Sequence, residues 1–323
     1  MLQELSVKNF AIISSLQLEF QMGMTVLTGE TGAGKSIIID AMGLLTGGRG
    51  SSDYIRQGAN KCTLEGLFSM PKSQELKKLL EDKRNVLVTG ASRGIGKAIA
   101  LLFAEKGFRV FINCTRSVSD LEKVKEEIDA MHMGECHLAV GDVGNPDDVA
   151  DMFAHIRRHC NGIDILINNA GISYIGLLTD MTNAEWNTLL QTNLSSAFYC
   201  AKEVIPHMVS QKSGKIIQIS SIWGSVGASC EVAYSAAKSG LHGFTKALAK
   251  ELAPSSIQVN AIACGAIDTV MNKQLDATER LALEEEIPAG RFGLPGEVAR
   301  LTFDIATGHD YMTGQVIGMD GGW

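Results

Sequence analysis

An α/β fold is predicted for this chain by three features of its sequence. After residue 83, apolar runs of strand length alternate with amphipathic stretches of helix length, as a doubly wound parallel sheet requires. A glycine-rich turn joins an apolar run to a helix twice, at residues 29–36 and again at residues 90–96, where the pattern restarts. No heptad run is present, which excludes a long coiled coil. The restart divides the chain into residues 1–82 and residues 83–323.

With 45% hydrophobic and 20% charged residues, the chain has the composition of a soluble globular protein that buries a core. A formal net charge of -7 argues against non-specific nucleic-acid binding. No apolar run reaches membrane length, and the first residues do not read as a signal peptide. The seven cysteines are scattered without a Cys-x-x-Cys pair, which reads as reduced thiols and a cytoplasmic location. His155 and His159 share a helical face but lack an acidic or cysteine partner pattern, so no metal site is expected.

In the first part, Leu2 to Phe10 and Ile13 to Phe20 read as paired strands and Met24 to Thr28 as a buried one. Gly29-Glu30-Thr31-Gly32-Ala33-Gly34-Lys35-Ser36 then fits the phosphate-loop pattern, ahead of an apolar helix from Ser36 to Leu45. Gly29, Gly32 and Gly34 let backbone N–H groups approach phosphate oxygens, Lys35 reaches the terminal phosphates of ATP, and Ser36 holds Mg²⁺. The run from Leu27 to Asp40, continued by Gly47-Gly48-Arg49-Gly50, resembles the amino terminus of the RecN family of DNA-repair ATPases over residues 1–82. That resemblance implies a metal-binding Asp after a further strand and a signature loop, and neither follows in this sequence. A truncated P-loop α/β fragment, relic or weak binder, is preferred over an ATP-binding DNA-repair module.

A charged, helical stretch from Lys72 to Lys83 leads into the second part. Asn85 to Thr89 is a buried strand, Gly90-Ala91-Ser92-Arg93-Gly94-Ile95-Gly96 is the turn, and Ile95 to Lys106 the helix, the first unit of a Rossmann-like fold. Further strands are expected at Arg109 to Asn113, His137 to Val140, Asp164 to Asn168, Lys215 to Ser220, Ile257 to Ala263 and Gln315 to Met319.

Chemistry concentrates in Tyr234-Ser235-Ala236-Ala237-Lys238, with Ser221 upstream. If Tyr234 to Leu252 is helical, as Leu241, Phe244, Leu248 and Leu252 suggest, a spacing of four puts Tyr234 and Lys238 on one face. A phenol titrates near about 10, and a neighbouring ammonium is expected to lower that value while Ser221 holds a carbonyl oxygen.

Thr89-Gly90 with Gly94 and Gly96, Asp142-Val143, Asn168-Asn169-Ala170-Gly171, Asn193, Ser221, Tyr234 with Lys238, and Asp320-Gly321-Gly322 occur in the order of the short-chain dehydrogenase/reductase family, which residues 83–323 resemble throughout. Thr192 to Ser196 and Ile287 to Arg291 are most similar to the 3-oxoacyl-[acyl-carrier-protein] reductases. The resemblance implies reduction of a ketone to a secondary alcohol, with Tyr234 as general acid, Lys238 as its tuner and a ribose ligand, Ser221 as carbonyl orienter and Asn193 as anchor of a relay water. It also implies cofactor contacts from Gly90, Ser92, Arg93, Gly94, Ile95, Gly96, Asn113, Arg116, Asp142, Val143, Asn169, Ala170, Gly171, Tyr234, Lys238, Ile267 and Thr269. Asn113-Cys114-Thr115-Arg116-Ser117 offers no carboxylate to repel a 2′-phosphate, and Arg93 and Arg116 can pair with one, so NADP(H) is expected.

Two departures stand out. Ala263-Cys264-Gly265 replaces the family's Pro-Gly, and only Lys212, Lys215 and Lys250 are near the surface expected to meet an acyl-carrier protein. The loop from Ser221 to Val232 is similar to reductases of the 5-aminopentanone modification on elongation factor P, where Glu231 would meet an amine or simply face solvent. A homotetramer is implied, built on helices around residues 190–212 and 234–252.

Overall fold

The computed structural model describes residues 2–20, 35–46, 50–68, 84–272 and 276–323. The chain divides into two compact units, Met1–Asp82 and Lys83–Trp323.

In the first unit, β1 (Leu2–Phe10), β2 (Ile13–Glu19) and β3 (Thr63–Phe68) form an antiparallel sheet ordered β2-β1-β3. Alternation along β1 buries Leu5, Val7 and Phe10 in a small core with Ala41 of α1 (Lys35–Leu45). Phe10 stacks on Tyr54 at a centroid distance of 5.1 Å. The third strand has no counterpart in the sequence reading. The expected strand Met24 to Thr28, the loop glycines Gly29, Gly32 and Gly34, the Gly47 to Arg49 segment and the Lys72 to Lys83 helix lie outside the described residues. Ser36 is exposed on the first turn of α1.

The second unit is a parallel sheet of seven strands ordered β10-β9-β8-β7-β4-β5-β6. In chain order its elements are β4 (Asn85–Val88), α2 (Gly94–Glu105), β5 (Arg109–Ile112), α3 (Val118–Met131), β6 (Glu135–Leu138), α4 (Pro146–Ile156) and β7 (Ile165–Asn168). There follow α5 (Asn183–Leu190), α6 (Ser196–Gln211), β8 (Gly214–Ser221), α7 (Trp223–Val226), α8 (Val232–Leu252) and β9 (Ile257–Cys264). The last three are α9 (Ala277–Glu286), α10 (Pro295–Thr307) and β10 (Val316–Met319). β4, β7 and β8 are buried along their whole length, because helices cover both faces of a parallel sheet and leave no solvated side. One core lies with α2, α3 and α10, the other with α4, α6 and α8.

The sixth strand begins two residues before the expected His137. Glu135 enters the ladder opposite Arg109, whose Nε lies 2.9 Å from its carboxylate, so an ion pair sets the start where hydropathy alone does not. The strand order reverses between β4 and β7, where the chain leaves the sheet in opposite directions and opens a crevice at the carboxyl ends. Among the described residues no helix is long and apolar enough to cross a membrane, and the seven cysteines are free thiols.

Candidate active site

The glycine-rich turn closes the crevice floor by direct backbone contact. Gly90 has φ of 63°, and a Cβ there would lie 2.8 Å from the Cα of Ala170 in the loop after β7. A Cβ on Gly96 would lie 2.4 Å from the Gly90 carbonyl oxygen and 2.5 Å from the Asn169 amide nitrogen. Thr89, missed as a site residue, ties the two loops together: its Oγ1 accepts from the N–H groups of Asn169 (2.9 Å) and Ala170 (3.0 Å). The Asn169 side chain returns two hydrogen bonds to the carbonyls of Thr89 and Gly90.

Above this floor, α2 starts at Gly94 with no side-chain cap from Arg93, so its first N–H groups and its dipole are available to an anion. Arg93 and Arg116 are exposed, Ser92 and Ile95 are half-buried, and Thr269 lies 3.4 Å from where a Gly94 Cβ would stand. Asp142 accepts from Gly144 N–H, Val143 is buried beside it, and Ile267 is buried in a bridge to Gly293. Asn113 is placed differently from the sequence reading. It is fully buried, accepts from Gly90 N–H, and donates to the carbonyls of Ala139 and Gly141, so it braces the turn from beneath.

Around the mouth of the crevice, four polar side chains converge. Tyr234 and Lys238 fall one turn apart on α8, with the Lys238 ammonium 5.5 Å from the centre of the phenol ring. Ser221 ends β8 with its Oγ accepting from Trp223 N–H at 3.2 Å, and its hydroxyl lies beside Tyr234. Asn193 sits in a π-turn, Gln191–Ser195, that swings it inward, where its amide both accepts from and donates to the backbone of Ile172. A Cβ on Gly171 would stand 3.4 Å from Asn193 Oδ1 and 3.8 Å from Lys238 Nζ, which places both groups around one small gap. The glycine cradle, the uncapped helix and this gap fit a dinucleotide laid across the carboxyl ends of the strands.

The electrostatics depart from expectation at Tyr234. Its phenol is held well above the usual range, chiefly by desolvation, then by the Glu231 and Cys264 charges, with the Ser221 hydrogen bond opposing them. The lowering expected from Lys238 does not act on the phenol, and burial weakens that ammonium as well, bringing it down to about 8. Lys238 Nζ donates to the Ile219 carbonyl at 2.9 Å. A phenol that keeps its proton at neutral pH suits an acid that protonates a carbonyl oxygen.

Further side chains surround the site; of these His242 has no role in the sequence reading, and Cys264, Glu231 and Lys215 are noted there without their surroundings. Cys264 is the register partner of Ser221, and burial pushes its thiol up to about 12. Glu231, one turn before Tyr234, is half-buried with its carboxylate raised by desolvation against a smaller lowering by the nearby Trp223, which packs edge-on against Trp323 at 4.9 Å. His242 bonds Ser220 beneath the group. Lys215 is 4% exposed and held by Asp310 and the Gly308 carbonyl, so it leaves the surface patch expected to meet a carrier.

The short chain dehydrogenase family model matches residues 84–280. An AAA domain model matches residues 4–129, in keeping with the RecN resemblance, although its last part lies in strands of the parallel sheet. An uncharacterized oxidoreductase of Bacillus subtilis, YmfI, is 38% identical over 241 residues, 74% of this chain and 98% of its own. A 3-oxoacyl-[acyl-carrier-protein] reductase of Synechocystis is 42% identical, covering 73% of this chain and 95% of its own. The crystal structure of a short-chain type dehydrogenase/reductase from Mycobacterium marinum aligns with a TM-score of 0.70 at 35% identity, over 74% of this chain and 94% of that one.

Proposed function

The chain belongs to the short-chain dehydrogenase family and is an oxidoreductase; we propose that residues 83–323 reduce a ketone to a secondary alcohol with NADPH. The observation that carries this reading is the meeting of Tyr234, Ser221, Lys238 and Asn193 around one gap beside the glycine cradle. Ser221 hydrogen-bonds the substrate oxygen, and Tyr234, protonated at neutral pH, delivers the proton to it. Lys238 holds a positive charge beside the phenol and hydrogen-bonds the nicotinamide ribose. Asn193 fixes the Gly171–Ile172 loop against that ammonium and anchors a relay water with its remaining hydrogen-bonding capacity. The nicotinamide supplies the hydride, and the exposed Arg93 and Arg116 select its 2′-phosphate.

The substrate we propose first is a 3-oxoacyl thioester on an acyl-carrier protein, after the relatives of that name. A second reading, reduction of an aminopentanone on elongation factor P, is favoured by Glu231, a half-buried carboxylate beside Tyr234, and by the withdrawal of Lys215 from the carrier-facing surface. A homotetramer built on α6 and α8 belongs to the same proposal, and Phe198 and Val209 stand exposed on α6. The proposed setting is the cytoplasm, where the free thiols stay reduced. Acetoacetyl thioesters and aminoketone peptides, each assayed with NADPH, test the reading: turnover of either supports ketone reduction and chooses the substrate, and turnover of neither overturns it.

A further inference from the structure

Below Tyr234 and Lys238, the same face of α8 carries a third polar side chain that the proposed chemistry does not use. His242 follows Lys238 by four residues, is 7% exposed, and its Nε2 lies 2.8 Å from the Oγ of Ser220, itself 4% exposed on β8. The helix is therefore tied to the strand by hydrogen bonds at two successive turns, below the facing pair Tyr234 and Ser221. Lys238 bonds the Ile219 carbonyl, and His242 bonds Ser220. The short helix α7 covers this stripe so closely that a Cβ on Gly224 would stand 2.7 Å from the Lys238 carbonyl carbon and 2.8 Å from His242 Cε1. Nothing about packing alone demands a polar pair here, since Leu248, Ala249 and Leu252 of the same helix meet the sheet through apolar contact. Apolar packing resists separation but weakly resists sliding, whereas a buried hydrogen bond fixes both distance and register.

We propose that His242, through its hydrogen bond to Ser220, is a positioning residue that sets the register of α8 on β8 and so the placing of Tyr234 against Ser221. The proposal rests on the ketone-reductase reading for its kinetic consequence, but not for its structural one. Ser220 and Ser221 are consecutive residues, so a displacement of the helix at the first reaches the second directly. Burial, and after it the charges of Lys246 and Lys238 on the same helix, hold the His242 imidazole below the usual range, so it is neutral when the site works. From β8 the group facing it is Ser220, and from α7 it is the backbone at Gly224.

The experiment compares Ser220→Ala, His242→Met, the double variant, and His242→Gln, which returns a hydrogen-bonding atom to the ε position. Two quantities are read in the full chain: kcat for ketone reduction with NADPH, and the ¹³Cζ resonance of labelled Tyr234, which needs no turnover. Loss of one buried hydrogen bond predicts a fall in kcat of about fivefold to tenfold for each single variant, with the NADPH dissociation constant unchanged. The double variant falls no further than the singles, and His242→Gln recovers to within about twofold. The Tyr234 resonance moves in Ser220→Ala and His242→Met and returns in His242→Gln. A Tyr234 resonance unmoved in Ser220→Ala, where folding is least at risk, overturns the proposal, as do additive losses in the double variant. A wild-type chain that turns over no ketone while the resonance still responds contradicts the reductase reading and supports the positioning role.

Discussion

Gly96→Ala puts the cradle to a quantitative test, because two opposed effects of known size meet at one atom. Gly96 is the third residue of α2, and in an open helical position alanine is favoured over glycine by about 1 kcal/mol. Here the added methyl would lie 2.4 Å from the Gly90 carbonyl oxygen, 2.5 Å from Asn169 Nδ2 and 3.0 Å from the Ala91 Cα. Two of those three atoms are backbone, and Asn169 is already committed to the carbonyls of Thr89 and Gly90, so no flexible side chain can absorb the strain. Overpacking costs roughly 1–3 kcal/mol, and pushing Asn169 aside sacrifices two hydrogen bonds of about 1 kcal/mol each. After subtracting the propensity gain, a net loss of about 2–4 kcal/mol remains. For a domain of this size that lowers the melting temperature by roughly 4–16 °C. The assay is a thermal melt together with an NADPH fluorescence titration, in which the variant binds more than about tenfold more weakly. Gly243→Ala is the control: nothing lies within 4 Å of its Cβ position, so the propensity term acts alone and the melt rises by about 2–4 °C. A Gly96→Ala chain that melts and binds NADPH like the wild type would refute the close approach of the two loops.

Arg116→Asp introduces the carboxylate that the loop after β5 lacks, and the ratio of kcat/KM with NADPH to that with NADH falls by at least about tenfold, measured at fixed ketone. Lys238 titrates near 8 rather than its ordinary 10.5, so steps that need its charge fade as pH rises through about 8. Stability moves the opposite way: between about 8 and 10.5 the unfolded chain binds more protons, so this residue's contribution rises with pH, and the difference in melting between wild type and Lys238→Met across that window reports it. Glu231→Gln keeps the size of the side chain but loses the charge; kcat/KM falls several-fold for a ketone bearing a quaternary ammonium and holds for its neutral isostere, whereas equal losses on both contradict a charge role. Lys35→Ala leaves ketone reduction unchanged, and DNA-stimulated ATP hydrolysis sensitive to that change would favour the ATPase reading. Light scattering on the full chain and on one beginning at Lys83 reports whether the first 82 residues permit the tetramer.

The parallel sheet was legible because strands buried on both faces must read as unbroken Val, Ile and Leu runs, as β4 and β7 do. Tyr234 and Lys238 were legible because a helical repeat of four is a local rule. Contacts between distant segments were not. Nothing local announces that Ser220 meets His242, or that Thr89 receives two N–H groups from the loop after β7. Desolvation is likewise a property of the assembled site, which is why Tyr234 was expected below the usual phenol range and lies above it. Lys215 read as a surface cation until the Gly308–Asp310 segment enclosed it. Thr63–Phe68 escaped because Gly66 interrupts it and its burial alternates weakly, so only pairing with β1 makes it a strand.

The most direct measurement is oxidation of NADPH driven by a ketone, followed at 340 nm on roughly matched wild-type and Tyr234→Phe proteins. Removing the one hydroxyl beside Ser221 leaves the ring and its packing in place, so NADPH binding should persist while turnover drops by a factor of about 10² or more. A Phe variant that reduces the ketone as fast as the wild type would contradict proton transfer from this residue and, with it, the site as described.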